Sequence, residues 1–117
     1  MKFVYKIIPK SAWKEAEAQK EFKGFGIDLN DPFIHLSDGT QVASTLEKFF
    51  KSQNDLVLVE IDQESLGDSL VWEQSDGDDL FPHLYCGLPL SSVTNVYQIA
   101  LAADGKHILP SHLGKVG

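Results

Sequence analysis

Arginine is missing from this sequence, whose ten basic residues are all lysines against 17 aspartates and glutamates. Planar two-point capture of a phosphate normally falls to arginine, because its guanidinium presents a rigid fork of donors. Sites that depend on such a fork are therefore excluded. The net charge of −7 also disfavours a general affinity for phosphate backbones, so we do not expect nucleic acid as a partner.

Cysteine and long apolar runs are scarce as well. Cys86 is the single cysteine, which excludes an internal disulfide and a zinc site built from cysteines. No apolar run approaches the roughly 20 residues that cross a bilayer. Lys2 and Lys6 interrupt the start of the sequence before a signal-peptide core can form. We expect a cytoplasmic protein that neither spans a membrane nor holds a metal ion.

Length and composition are those of one globular domain. The 117 residues suffice for a single ordinary core, and a hydrophobic share of 43% with a charged share of 23% is ordinary. We therefore predict one domain over residues 1–117. From about residue 103 the chain has glycine, proline and polar residues with little periodicity, so we expect this tail to be ordered only in part. None of these features fixes the oligomeric state.

Hydrophobic periodicity predicts an α+β domain with two main helices and about six strands. The helices are expected over residues 12–22 and 40–50, and the strands over residues 3–8, 33–36, 56–62, 70–74, 81–85 and 93–101. Residues 56–59 are apolar on both faces of their strand, which predicts a central place in a sheet. The second half supplies too few helices for a doubly wound parallel sheet. The acidic stretch 75–79 is predicted to be a flexible, solvated loop.

Two histidines embedded in apolar strands mark a candidate site. A buried imidazole costs free energy unless its nitrogens find partners, and His35 and His83 both lie beside turn residues and hydroxyl groups. Side chains two residues apart on a strand share a face. These side chains are therefore predicted to share one cleft. Its lining would come from His35, Ser37, His83 and Tyr85, and its rim would be closed by Gln41 and Thr45. The alternative is that each histidine bonds separately to backbone carbonyls in the core.

The predicted second helix begins beside this cleft. Its first turn has unpaired amides and a positive dipole end, which favour an anionic or strongly polar ligand. Lys6 and Lys10 add positive charge in a lysine-rich first quarter, so we expect a nucleotide to bind there and away from residues 76–79. Glu73 is the best isolated carboxylate for catalysis, and its alternative interpretation is a surface charge on an edge strand.

Several short motifs follow one another along the chain: Tyr5-Lys6-Ile7, Trp13, Phe33-Ile34-His35-Leu36-Ser37, Gln41, Thr45, residues 55–62, Trp72-Glu73 and Phe81-Pro82-His83-Leu84-Tyr85. Their order resembles an uncharacterised, mainly bacterial family catalogued as domain of unknown function 952. The resemblance implies an ADP-ribosyltransferase-like fold, a small split α/β sandwich that grips NAD in a cleft between its two sheets. Lys6 stands where family members commonly have histidine. The similar RNA 2′-phosphotransferases depend on arginines, so we do not expect their reaction here.

Two hypotheses follow. In the first, the protein is an ADP-ribosyl-type transferase, or a pseudoenzyme, that binds NAD or a related nucleotide. His35 and Ser37 would then hold ribose or amide groups, and Glu73, His83 or Tyr85 would act on the ribose. In the second, it is a non-catalytic module that captures a small molecule or a peptide. Glu73 distinguishes them, because transfer through an oxocarbenium-like state needs a carboxylate near the anomeric carbon.

Overall fold

The computed structural model of the protein describes residues 2–74 and 79–113, so most of the acidic stretch predicted as a loop lies outside the described residues. The described residues form two α-helices, ten strands and three short 3₁₀ helices. The helices are α1 (Lys10–Gln19) and α2 (Val42–Phe49), and the 3₁₀ helices span Gly26–Asn30, Glu64–Ser69 and Leu90–Ser92. The strands are β1 (Phe3–Pro9), β2 (Glu21–Phe22), β3 (Ile34–His35), β4 (Ser37–Asp38), β5 (Leu56–Asp62), β6 (Leu70–Gln74), β7 (Leu80–Leu84), β8 (Leu88–Pro89), β9 (Val93–Leu101) and β10 (His107–Ile108). The α+β class is confirmed.

Strand β5 is the middle strand of a five-stranded antiparallel sheet with the order β10-β9-β5-β1-β4. Its alternate side chains enter two separate cores: Val57, Val59 and Ile61 pack on one face, and Leu56 and Leu58 pack on the other. A strand covered on both faces has an apolar run in place of polar alternation. The central position predicted for this strand is confirmed.

A second sheet, with the order β3-β7-β6, stands beside the first. The chain crosses between the sheets at Leu36, because β3 pairs with β7 whereas β4 pairs with β1. Strand β4 pairs with only two residues of β1, Val4 and Tyr5. Among the described residues, no other strand pairs with this edge of β1. A gap is therefore left between β3 and the part of β1 that begins at Lys6.

The ten strands include every strand predicted from the sequence. The predicted strand 33–36 contains β3 alone, and β4 follows it after the chain changes from one sheet to the other. The four strands that were not predicted, β2, β4, β8 and β10, have two residues each. Two residues cannot show a period of two, so the sequence held no signal for them.

Both helices are shorter than predicted. Helix α1 ends at Gln19 because Lys20 takes a left-handed conformation with φ 62°. Phe22, which appeared to extend the helical stripe, lies buried in the core as part of β2. Helix α2 ends at Phe49, whose ring is 61% exposed and does not extend the apolar face. Neither helix, nor any other in the described parts of the chain, is long and apolar enough to cross a bilayer.

The segment after β9 contacts the large sheet and its core. His107 and Ile108 pair with Leu101 and Ala100 of β9. Leu113 is buried in the second core. Weak order of the tail from about residue 103 stays a prediction from the sequence.

Candidate functional site

A pocket of about 570 Å³ occupies the gap between the two sheets. One side is formed by β1, β4 and α2, and the other by β3, β7 and the segment before β3. Its aromatic lining comes from Tyr5, Phe25, Phe49, Phe50 and Phe81. Its polar lining comes from Lys6, His35, Ser37, Ser44, Thr45, Lys48, Asp79 and His83. This combination of aromatic rings with a few convergent polar groups is typical of small-molecule sites.

Lys6 lies on the wall of this pocket with its charge balanced inside the protein. Its ammonium is 2.8 Å from a carboxylate oxygen of Asp28, and it donates a 2.9 Å hydrogen bond to the backbone carbonyl of His35. The two side chains of the ion pair are 10% and 0% exposed. Burial raises the pKa of Asp28, but the Lys6 ammonium and the amides of His35 and Phe25 outweigh it and hold that pKa below its usual value. Lys6 therefore joins β1 to β3 and does not supply the unbalanced positive charge inferred from the sequence.

His35 lies between two carboxylates. Its Nδ1 is 2.7 Å from Asp28 and its Nε2 is 3.1 Å from Asp31. The backbone amide of His35 also donates to Asp28, at 2.9 Å. An imidazole can donate through both nitrogens only when each carries a proton. His35 thus ties the segment that carries Asp28 and Asp31 to the small sheet.

His83 faces His35 across the β3–β7 pairing, with ring centroids 5.5 Å apart. Its Nδ1 is 2.9 Å from Oε1 of Glu73, and the same oxygen accepts a 2.6 Å hydrogen bond from the hydroxyl of Tyr85. These hydrogen bonds, from Tyr85 first and then His83, hold the pKa of Glu73 below its usual value. The ionised carboxylate can only accept, so Nδ1 is the protonated nitrogen that faces it.

The other ring nitrogen of His83 has no partner in the part of the chain that the structure describes. His83 is 3% exposed, and its Nε2 is buried. Among the described residues it is the one buried side-chain nitrogen or oxygen without a hydrogen bond. Native proteins rarely leave such an atom unsatisfied unless a catalytic role, a water or a ligand accounts for it.

Phe33 completes an aromatic cluster around the two histidines. Its ring stacks on His83 with centroids 4.0 Å apart and planes 9° apart. It also contacts the rings of His35 at 4.8 Å and Tyr85 at 5.3 Å. Aromatic contacts of this kind add to the stability gained from burial, so Phe33 holds the imidazole of His83 in a fixed plane.

A carboxylate lies in the turn that precedes α2. Oδ1 of Asp38 accepts hydrogen bonds from the amides of Thr40 and Gln41, at 2.8 and 3.0 Å. These two amides precede the helix, which begins at Val42 and has no side-chain cap, so Asp38 adds negative charge near the dipole end that a phosphate would use. Gln41 reaches across to β7 and donates to the carbonyl of Leu80 at 2.8 Å.

The structure brings five of the eight predicted site residues to the pocket wall: Lys6, His35, Ser37, Thr45 and His83. The hydroxyls of Ser37 and Thr45 are 3.3 Å apart. The other three are placed differently. Tyr85 lines a smaller pocket, Gln41 bridges the two walls, and Glu73 contacts His83 from the edge strand β6.

Four important residues were not predicted as part of the site: Asp28, Asp31, Phe33 and Asp79. The two aspartates appeared to be turn formers, since aspartate is common in turns, and their distance in sequence from His35 gives no periodic signal. Phe33 appeared to be an ordinary strand residue. Asp79 lines the main pocket, so the pocket reaches the end of the acidic stretch, and a nucleotide site away from residues 76–79 stays a prediction.

A second buried carboxylate, Glu60, lies on β5 and is fully satisfied. Its Oε1 accepts from Thr94 at 2.8 Å and Asn95 at 3.0 Å, and its Oε2 is 3.1 Å from the hydroxyl of Tyr5 and 3.3 Å from Nε2 of His112. Burial raises the pKa of Glu60, but these hydrogen bonds outweigh it and keep that pKa below its usual value. His112 is half-exposed and joins this network. The network explains why a carboxylate is tolerated in the central strand.

The smaller pocket, of about 270 Å³, is lined by Phe33 and Tyr85 together with charged side chains that include Glu21, Lys23 and Asp31. Cys86, whose thiol is exposed, also lies there. Within residues 2–74 and 79–113, no group of three or more histidine, cysteine, aspartate or glutamate side chains is placed to hold a metal ion.

Comparison with known proteins places the chain in a family. The crystal structure of protein CC0527 from Caulobacter crescentus is 44% identical in sequence, with a TM-score of 0.90 over 97% of this chain and 99% of that chain. The solution NMR structure of CC0527 is 45% identical, with a TM-score of 0.86 over 97% and 98% of the two chains. A search of curated proteins gives no match. Residues 7–96 match the family described as Protein of unknown function (DUF952), and the chain belongs to that family.

Proposed function

We propose that the pocket between the two sheets binds a small molecule built like a nucleoside, with a flat ring and a hydroxyl or amide donor. The donor bonds to Nε2 of His83, and the ring lies against the aromatic lining. The observation that carries this proposal is the buried Nε2 atom, which has no partner among the described residues.

The energetics of His83 support a ligand. An unsatisfied buried polar atom costs about 1–3 kcal/mol, a large fraction of the stability of a small domain. Glu73 takes the proton-bearing Nδ1 of the ring, so a neutral imidazole presents a lone pair at Nε2. Phe33 stacks on the ring and restricts its rotation. A fixed acceptor of this kind selects ligands that offer a hydrogen-bond donor.

The apolar lining supports a flat ring on the ligand. Phe25, Phe49 and Phe81 face the pocket, and Phe25 and Phe49 are 43% and 61% exposed. Aromatic side chains left open in a concave site stack favourably on a planar ligand. The volume of about 570 Å³ lies in the range of about 300–1,000 Å³ that small-molecule pockets occupy.

The resemblance to the ADP-ribosyltransferase-like fold makes NAD the first ligand to consider, and two sheets that part around a pocket support that fold. The pocket suits the nucleoside end of NAD better than its diphosphate. Asp28 balances the charge of Lys6, and Asp38 places a further carboxylate in the turn before α2. Asp79 adds negative charge to the lining. The residues present therefore do not fit a dinucleotide held by its diphosphate, and a nucleoside or a nucleoside-like metabolite fits them better.

A catalytic role for Glu73, His83 and Tyr85 is a further part of the proposal. A carboxylate that orients an imidazole is the usual arrangement of a general base, and Glu73 and Tyr85 would act as positioning residues for His83. His83 would take a proton from a ligand hydroxyl. Glu73 is not on the pocket wall, so it cannot stand beside an anomeric carbon. This position favours the second candidate, a non-catalytic binding module, over ADP-ribosyl transfer.

Titration calorimetry with adenosine, nicotinamide riboside, NAD and ADP-ribose tests the proposal. We expect at least one nucleoside to bind, and we expect His83→Phe to weaken that binding by tenfold or more, since a lost hydrogen bond to a buried partner costs about 1–3 kcal/mol. Phenylalanine keeps a ring under Phe33 and removes both nitrogens. The matched control is His107→Gln, on the far edge strand β10, which should bind as the wild type does.

The proposal is wrong if neither adenosine nor nicotinamide riboside binds, or if His83→Phe binds as tightly as the wild type while remaining folded by circular dichroism. A cytoplasmic location and a small-molecule rather than nucleic-acid partner stay predictions from the sequence.

A further inference from the structure

The two walls of the pocket belong to separate parts of the fold. Ser44, Thr45 and Phe49 are carried by α2, whereas Phe81 and His83 are carried by β7. Helix α2 follows β4 at the edge of the large sheet, and β7 is the middle strand of the small sheet. The backbone amide of Leu36, just before β4, donates a 3.0 Å hydrogen bond to the carbonyl of Pro82 on β7. Beyond that bond, the distance between the helix and β7 depends on side-chain contacts.

Gln41 makes such a contact with both ends of its amide. Its Oε1 accepts a 3.0 Å hydrogen bond from the amide of Asp38, and its Nε2 donates a 2.8 Å hydrogen bond to the carbonyl of Leu80. Gln41 stands at the beginning of α2, yet its side chain does not cap the helix. Asp38 bonds to the amides of Thr40 and Gln41 in the turn before the helix. The side chain of Gln41 is therefore committed to holding β7 against the start of α2.

A second bridge spans the same gap at β1. There the ammonium of Lys6 donates to the carbonyl of His35 on β3. The two bridges have the same arrangement. In each, a side chain from the wall next to the large sheet donates a hydrogen bond to a backbone carbonyl of the small sheet. The Lys6 bridge is buried and the Gln41 bridge is exposed, so the Gln41 bridge is the one that solvent reaches.

Building on the proposed function, we propose that Gln41 is a positioning residue that sets the spacing between the walls of the pocket and slows the release of the ligand. Gln41 is not among the residues that line the pocket, so it acts through the position of Leu80 and of the neighbouring Phe81, whose ring faces the ligand space. This role replaces the direct contact with ligand that was predicted for Gln41 from the sequence.

Two variants separate the two hydrogen bonds. Gln41→Met keeps the length of the side chain and removes both bonds. Gln41→Glu keeps an acceptor for the amide of Asp38 but faces the carbonyl of Leu80 with an anionic oxygen in place of a donor. The matched control is Gln19→Met, since Gln19 is an exposed glutamine on α1 whose one hydrogen bond runs to Glu15 at 3.4 Å.

The first measurement is amide hydrogen exchange of the ligand-free protein, which needs no ligand to be known. We expect faster exchange in the segment that covers Leu80 and Phe81 in both Gln41 variants, by about threefold to tenfold, the size of one lost hydrogen bond. The exchange of β5 should not change. The second measurement is the dissociation rate of adenosine and of nicotinamide riboside by surface plasmon resonance, which should rise by about the same factor.

The two measurements keep the two proposals apart. If neither nucleoside binds the wild-type protein, the proposed function fails and the exchange result alone decides the role of Gln41. Exchange at Leu80 and Phe81 that is unchanged in both variants overturns the role of Gln41. So does a Gln41→Glu variant that exchanges and releases nucleoside as the wild type does, because the bond to Leu80 would then have no effect.

Discussion

Replacement of Lys6 by methionine tests the buried ion pair that joins β1 to the segment before β3. The ammonium of Lys6 lies 2.8 Å from Asp28, and both side chains are almost inaccessible. Removing one partner of a buried pair costs about 3–5 kcal/mol, because the other charge is left uncompensated. Asp28 keeps its hydrogen bonds from the amides of Phe25 and His35 and from the His35 ring. We therefore expect a loss at the lower end, about 3 kcal/mol of unfolding free energy at neutral pH.

The pH dependence of this loss identifies its cause. The pKa of Asp28 lies below its usual value in the folded protein, so its stabilising contribution is present above about pH 4, the ordinary value for an unfolded aspartate. That contribution is lost as the pH falls through the folded-state pKa. Once Asp28 is protonated, Lys6→Met no longer leaves a bare carboxylate in the core. The difference between wild type and variant should therefore shrink below about pH 4.

Urea denaturation followed by circular dichroism, at pH 7 and at intervals down to pH 3, measures both effects. Methionine retains most of the apolar stem of lysine, so lost packing contributes little. The control is Lys23→Met, because Lys23 is 74% exposed and lies 3.9 Å from Glu21, and such surface pairs contribute about 0–1 kcal/mol. A loss below about 1 kcal/mol for Lys6→Met, or a loss that stays constant from pH 7 to pH 3, would refute the argument that the two charges stabilise each other.

Three other substitutions have expected outcomes that denaturation measures. Tyr5→Phe removes one of the hydrogen bonds to the buried Glu60. The free energy of unfolding should fall by about 1–3 kcal/mol, because a charged acceptor loses a donor. An unchanged denaturation midpoint would show that Glu60 does not need this hydrogen bond. Gly24→Ala should lower the free energy of unfolding by more than about 1 kcal/mol, since φ is +121° and the new Cβ would lie 2.9 Å from the Cβ of Asp28. An unchanged free energy of unfolding would contradict this backbone conformation. Leu58→Ala, at a fully buried position on β5, should cost about 2–5 kcal/mol, and a loss under 1 kcal/mol would contradict its place in the core.

The large elements could be predicted from the sequence because their signals are periodic or continuous. The apolar run 56–59 indicated the central strand, and the strands over residues 70–74 and 93–101 were predicted with the bounds they have. The ends of α1 could not be predicted, because the left-handed turn at Lys20 occurs at a residue type that usually favours helices. Tertiary packing of Phe22 decides that local conformation.

The sequence indicated the two histidines of the candidate site but not the charged residues that bond to them. His35 and His83 are polar residues in apolar strands, a pattern that a sequence displays directly. Their partners depend on strand pairing and on the path of the segment around Asp28, which no spacing reveals. The balance of Lys6 by Asp28 could not be foreseen for the same reason.

The most direct test of the proposed site is a measurement of the imidazole ¹⁵N chemical shifts of His83 by long-range ¹H–¹⁵N NMR. Our account predicts a neutral ring in the free protein, with the proton on Nδ1 facing Glu73 and a lone pair on Nε2. Addition of adenosine or nicotinamide riboside should shift the Nε2 resonance as it accepts a hydrogen bond, while the resonances of His107 stay unchanged. A proton found on Nε2 in the free protein, or an Nε2 resonance that neither nucleoside moves, would contradict the account.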